Sequence, residues 1–257
     1  MSACSRFRSL GLVSLLALAP VLVPAPARAI SEADRPAIEQ MIKDYLLKNP
    51  EVLRDAIAEL ERRMKAAENK RRSETLKESR ALLNDSPRGV VVGNPKGDVV
   101  LVEFFDYNCG YCRRALDDMM NLVKTDPKLK IVLKEFPVLG KSSVDAARVA
   151  VAVRMQDPGG KYLEFHRKLL GGRGEVTLER ALAAAKEVGL DMARLDRDLK
   201  SKEIEATLEE SAELSDKLSI SGTPTYVVGD EVVPGAIGFA ALKTKIDAVR
   251  KCGVTVC

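Results

Sequence analysis

The sequence predicts an α/β domain preceded by an all-helical arm, and three observations carry that reading. From Ile30 to about Ser86 the apolar residues recur at helical spacing and turn residues are scarce. Val99–Phe105 is a nearly unbroken apolar run of strand length, the pattern of a strand buried on both faces. The order strand, helix, strand from Val99 to Phe136 implies a parallel pair joined by a crossover helix. With 257 residues, 46% hydrophobic and 30% charged, the chain has the balance of a folded protein and can bury a core without disulfide staples.

Residues 1–29 combine Arg6 and Arg8, an apolar stretch from Leu10 to Val23 and the small-x-small triplet Ala27-Arg28-Ala29. This is the pattern of a secretory signal cleaved after about Ala29, and the apolar stretch is shorter than a membrane span requires. Cys4 lies before the apolar stretch, so a lipoprotein site is not indicated. Removing the segment leaves 38 basic against 37 acidic groups. A balance so close to neutral gives no reason to expect nucleic acid as a partner.

The mature chain then reads as a helical arm with a charged linker over 30–86 and an α/β domain over 87–257. In the arm, Ile38, Met41, Ile42 and Tyr45 form a first apolar stripe, and Pro50 sits where a second helix would start. Leu53, Ile57, Leu60, Met64 and Ala67 continue as a seam of about two heptads. Residues 61–80 hold eight Lys/Arg and four Asp/Glu, with Glu61 and Lys65, and Glu68 and Arg72, spaced for helical ion pairs. That mixture describes a solvated helix better than a basic patch. An arm with one apolar seam has no core of its own, so the seam needs a partner, either the rest of the chain or other copies of the arm.

Asn84 to Gly89 is a turn cluster, after which Val90–Val92 and Val99–Phe105 read as strands, Tyr111–Lys124 as a helix and Lys130–Phe136 as a third strand. The stretch of about 142–218 is helical, broken at 157–160 and 171–174, and room is left for three or four helices. Thr225–Val228, the turn Gly229-Asp230 and Glu231–Val233 form a hairpin, followed by a last helix from about Phe239 to Arg250.

Four cysteines remain in the mature chain, as Cys109-x-x-Cys112 and Cys252-x-x-x-x-Cys257, and an oxidising compartment favours local pairing within each. Cys109-Gly110-Tyr111-Cys112 lies where the buried strand gives way to a helix. A thiol at a helix N-terminus faces unpaired N–H groups and the positive end of the dipole, so Cys109 is the expected low-pKa, exposed nucleophile and Cys112 the more buried resolving thiol. The competing readings are an inert disulfide or half of a metal site. Glu103, the one ionisable residue inside Val99–Phe105, is either a proton acceptor for Cys112 or a carboxylate reaching water at the strand end. His166, the only histidine, is expected to be structural or superficial. Cys252 and Cys257 are read as a local structural disulfide, with a second redox pair or metal site as alternatives. No shared four-cysteine metal site is expected, although the thiolates of Cys109 and Cys112 are soft enough for copper(I).

Val102-Glu103-Phe104-Phe105-Asp106-Tyr107-Asn108-Cys109-Gly110-Tyr111-Cys112, with Gly222-Thr223-Pro224 before a hairpin, resembles the DsbA/DsbG-type proteins of the bacterial periplasm. The resemblance implies a thioredoxin fold with a helical insertion at 142–218, a cis Pro224 packed against the redox-active Cys109–Cys112 disulfide, and a buried acid at Glu103. Thr223 and Pro224, with Gly110 and Tyr111, are its implied substrate contacts, and no bound cofactor is implied. The helical segment ahead of the domain resembles the arm of ScsC-like (suppressor of copper sensitivity) proteins, which implies a homotrimer or other homo-oligomer. It also implies a disulfide isomerase acting on misfolded exported proteins, kept reduced by a membrane-bound thiol reductase of the DsbD/ScsB type. A DsbA-like dithiol oxidase and a copper-binding thiol protein of copper tolerance are the alternatives. The dipeptide departs from the Pro-His of DsbA, and the missing His removes one stabiliser of the thiolate, which implies a less oxidising couple.

Overall fold

The computed structural model describes residues 31–156 and 160–257. The expected export signal 1–29 with Cys4 lies outside the described residues, as do positions 157–159 of the first expected helix break. The chain divides into two compact units, one ending at Glu61 and the other running Arg62–Cys257.

In the first unit, a 3-10 turn at Glu32–Asp34 leads into α1 (Arg35–Lys48), and α2 (Pro50–Asn84) begins on the expected proline. Asn49 closes α1 by donating both its backbone N–H and its Nδ2 to the Tyr45 carbonyl, at 2.9 and 2.8 Å. Met41, Ile42 and Tyr45 of α1, and Leu53, Ile57 and Leu60 of α2, are all exposed.

The second unit takes up α2 from Arg62. Leu76, Ser79 and Leu83, spaced for one helix face, are buried, and the two leucines join Val102, Phe104, Val132, Leu214 and Val227 in one apolar cluster. This unit therefore starts inside α2, ahead of the turn cluster that the sequence offers as a boundary, because those last turns pack on the sheet.

The sheet has five strands, β1 (Val90–Gly93), β2 (Val99–Phe105), β3 (Leu129–Glu135), β4 (Thr225–Val228) and β5 (Glu231–Pro234), in the order β1-β3-β2-β4-β5. As the sequence requires, β2 and β3 are parallel, with Phe105 opposite Glu135, and the other pairings are antiparallel. Alternation along β2 sends Val102 and Phe104 to the face covered by α2 and by Leu214 and Leu218, and Leu101, Glu103 and Phe105 to the other face. That second face is covered by α3 (Gly110–Thr125) and α9 (Phe239–Cys252).

The insertion folds as five helices among the described residues: α4 (Lys141–Gln156), α5 (Lys161–Gly171), α6 (Leu178–Glu187), α7 (Met192–Asp198) and α8 (Lys202–Lys217). The expected three or four falls short because two breaks are brief. At one, Gly189 turns the chain with φ +79° and Asp191 accepts from the Ala193 and Arg194 N–H groups; at the other, Ser201 caps Glu203. Registers decide what meets at each end of the sheet. Phe104 pairs with Thr225, so the loop after β2 lies beside the loop before β4. Leu101 pairs with Val228, which puts the Gly229-Asp230 turn at the far end.

Candidate active site

Asp106 shapes the loop between β2 and α3. Its carboxylate accepts the Asn108 N–H at 2.7 Å and the N–H groups of Val138 and Leu139 at 2.8 and 3.1 Å, and its carbonyl accepts the Cys109 N–H at 3.1 Å. Asn108 fastens the same loop to the insertion by exchanging two hydrogen bonds with the Val176 backbone. The Tyr107 ring enters the core, its hydroxyl 3.2 Å from His166 Nδ1 and 3.4 Å from the Tyr162 hydroxyl, which donates to Glu135 at 2.7 Å. His166 is thus a buried core residue, and burial lowers its pKa to about 3, so it stays neutral.

Cys109 is the N-cap of α3. It is buried, at 5% exposure, where the sequence suggested an exposed sulfur; the cis Thr223–Pro224 segment closes over it. As a thiol it donates to the Thr223 carbonyl at 3.1 Å. As a thiolate it accepts from the Cys112 side chain, then from Thr223 and from the backbone N–H groups of Cys112 and Tyr111, which together bring its pKa down to about 5 against the opposing effect of burial. Cys112 is fully buried, and its hydrogen bond to Cys109 and its desolvation push its thiol far up. Both are free thiols.

Glu103 is 3% exposed and does not reach water at the strand end. Desolvation, then the charges of Asp118 and Cys109, raise its pKa to about 8, and its charge in turn acts on Cys112. Gly110 faces open space, and Tyr111 projects at 59% exposure with the Arg114 guanidinium stacked 4.3 Å from its ring centroid. Pro224 is buried and Thr223 half-buried beside Cys109. The structure therefore gathers Glu103, Cys109, Gly110, Tyr111, Cys112, Thr223 and Pro224 at one end of the sheet.

Cys252 and Cys257 are joined in a disulfide at the opposite end, where Thr255 between them donates to Asp230 of the hairpin turn. Among the described residues no group of three or more His, Cys, Asp or Glu is placed to hold a metal ion. Asp106, Asn108 and Glu135 also belong to this site, although no motif in the sequence marks them as functional. The signals they do leave are an Asp-x-Asn turn before the cysteine and an acid ending an apolar strand.

The chain matches the DSBA-like thioredoxin domain over residues 100–247 and the Copper resistance protein ScsC N-terminal domain over residues 34–67. A thioredoxin-like oxidoreductase from Silicibacter pomeroyi DSS-3 is 44% identical, with a TM-score of 0.64 over 67% of this chain and 98% of that one. A linker-deletion mutant of Proteus mirabilis ScsC is 26% identical, with a TM-score of 0.65 over 90% of this chain and 100% of its own. Disulfide bond formation protein D of Bacillus subtilis (strain 168) is 26% identical over 173 residues, 63% of this chain and 77% of that protein. Other curated relatives are far longer: the chain spans 27% of the Na(+)/H(+) antiporter NhaA 1 of Mycobacterium sp. (strain KMS), at 27% identity. With the first of these domains matched over more than half of the chain and the second standing before it, the chain belongs to the DSBA-like thioredoxin-domain family.

Proposed function

We propose that this protein is exported to the periplasm and acts there as a disulfide isomerase on misfolded proteins, through Cys109 and Cys112. The observation that carries the reading is the set of donors converging on the Cys109 sulfur, with a buried thiol three residues on. The Cys109 thiolate attacks one sulfur of a substrate disulfide; a Cys109–substrate disulfide forms and a substrate thiolate leaves. That thiolate attacks another substrate disulfide, and a later substrate thiolate displaces Cys109, which regenerates its own thiolate. Alternatively Cys112 attacks Cys109, the substrate thiolate is released and the Cys109–Cys112 disulfide remains, the Cys112 proton passing to Glu103. A thiol reductase of the membrane then returns the pair to its working state. Thr223, Pro224, Gly110 and Tyr111 line the approach. A Cys109 pKa brought down to about 5 supports a sulfur that attacks as thiolate at neutral pH.

Recovery of active ribonuclease from its scrambled, fully oxidised form, with a reductant supplied, tests this reading. Strong recovery by the wild type and none by Cys109→Ser is expected. A chain that exchanges thiols yet recovers nothing is an oxidase. One that does neither, and whose reduced form holds copper(I) through Cys109 and Cys112, is a copper-handling protein.

Self-association through the arm belongs to the same proposal. The exposed apolar side chains of α1 and of the first half of α2, with Met41 at 69% and Ile57 at 56%, support it, as does the match to the ScsC N-terminal domain. Several active sites around a shared space would let one copy hold a substrate while another acts. Ile57→Glu with Leu60→Glu is expected to convert the oligomer to a monomer in analytical ultracentrifugation and to weaken isomerisation. A wild type that sediments as a monomer overturns this part.

A further inference from the structure

A groove of about 500 Å³ runs past Tyr111, Thr223 and Pro224 along the segment Ser219–Thr225, and its far wall is Arg72 of α2. Beyond it, and sharing Arg72, Leu218 and Ser219, lies a second recess, of about 360 Å³, lined by Arg71, Lys217 and Glu68. Three cations thus meet one carboxylate at the end of a path that starts beside the reacting sulfur. The Arg72–Glu68 pair, at 2.8 Å, does not neutralise this end strongly, because both side chains are exposed and such pairs are weak. Ser219 adds an independent sign. It adopts φ +56°, the one non-glycine residue in the left-handed region among those described, at a helix end where glycine is the usual occupant. Ser219 lines both recesses.

We infer that this groove selects extended substrate segments carrying a carboxylate side chain a few residues from the reacting cysteine. The inference rests on the thiol-exchange reading above and adds to it a class of substrate. The carboxylate reaches Arg71, Arg72 and Lys217 while the backbone beside the cysteine lies along Thr223. Attraction at this range speeds capture and sets register, and it is screened by salt.

The test uses the reduced full-length protein and peptides with one internal disulfide, flanked on either side by Glu, Gln or Lys. In each reaction the two enzyme thiols are oxidised to the Cys109–Cys112 disulfide and the peptide disulfide is reduced to two thiols; acid quenching and mass spectrometry give the rate. Glu peptides are expected to react fastest and Lys peptides slowest, with roughly a fivefold spread that collapses in about 0.5 M salt. An Arg71→Glu/Arg72→Glu variant is expected to invert the order. Equal rates for all three peptides, or an order that survives the charge reversal, overturn the inference while leaving the thiol-exchange reading in place. Failure of the wild type to react with any peptide removes that reading and the inference with it.

Discussion

Cys112→Ala is expected to accumulate covalent complexes between Cys109 and its substrates, with lifetimes extended by about a hundredfold or more. The resolving sulfur is held at the first turn of α3, with its N–H 3.4 Å from Cys109 Sγ, so its attack is intramolecular and strongly favoured by position. The same variant also removes the first of the groups that lower the Cys109 pKa, which is the Cys112 side chain itself. The Cys109 thiol is therefore expected to move back up toward its ordinary value, and its alkylation by iodoacetamide at pH 6 to slow. Cys112→Ser keeps a donor on that sulfur while still being unable to form a disulfide, so it should trap complexes with a thiolate closer to wild type. Non-reducing electrophoresis reads the first effect and the pH profile of alkylation the second. If both variants release substrate at the wild-type rate, Cys112 is not the resolving thiol.

Glu103→Gln is expected to stabilise the oxidised protein increasingly as pH rises from 5 to 9, by a few kcal/mol at the top of the range. The sign follows from the shift. Burial raises the Glu103 pKa from 4.5 to about 8, so between those values the folded state binds the extra proton, and the stability present below 4.5 is lost as pH climbs through about 8. Glutamine cannot ionise and has no such slope. In the reduced protein Cys109 opposes it. Its folded-state pKa is about 5 against 9 for a free thiol, so its contribution is present above 9 and lost as pH falls through 5. The reduced wild type should therefore have a flatter stability profile than the oxidised wild type. Urea unfolding of both redox forms at pH 5, 7 and 9 checks this, and parallel profiles for wild type and Glu103→Gln would refute it. A Glu103 that accepts the Cys112 proton predicts slower resolution in the same variant as well.

Much of the fold was legible because the apolar pattern changes period where the architecture changes. The run Val99–Phe105 could only be a doubly covered strand, and it stands at the centre of the sheet between β3 and β4. Pro50, a residue type tolerated at a helix start and not inside one, sits where α2 begins. The insertion was harder, since Gly189 and Ser201 each interrupt a helical pattern too briefly to disturb its periodicity. The end of the arm was harder still. Leu76 and Leu83 sit in a stretch so rich in charge that the sequence suggested a solvated linker, yet one face of it is buried on the sheet. At the site, the cysteines and Pro224 announced themselves by motif. The tethers of Asp106, Asn108 and Tyr107 did not, because Val138, Val176 and His166 come to them only through tertiary folding.

The near-burial of Cys109 has a consequence for what the protein can act upon. A sulfur with 5% of its residue surface open admits attack only along a narrow line, and thiol–disulfide exchange itself demands that the three sulfurs fall nearly in a row. A disulfide packed inside a well-formed globule cannot present itself along that line without local unfolding. A loose, strand-like segment can, by lying beside Thr223. For the proposed isomerase, discrimination between a finished protein and a faulty one would then be a matter of shape: such an entrance would pass disordered chain and exclude native surfaces, with no need to distinguish a correct bond from an incorrect one.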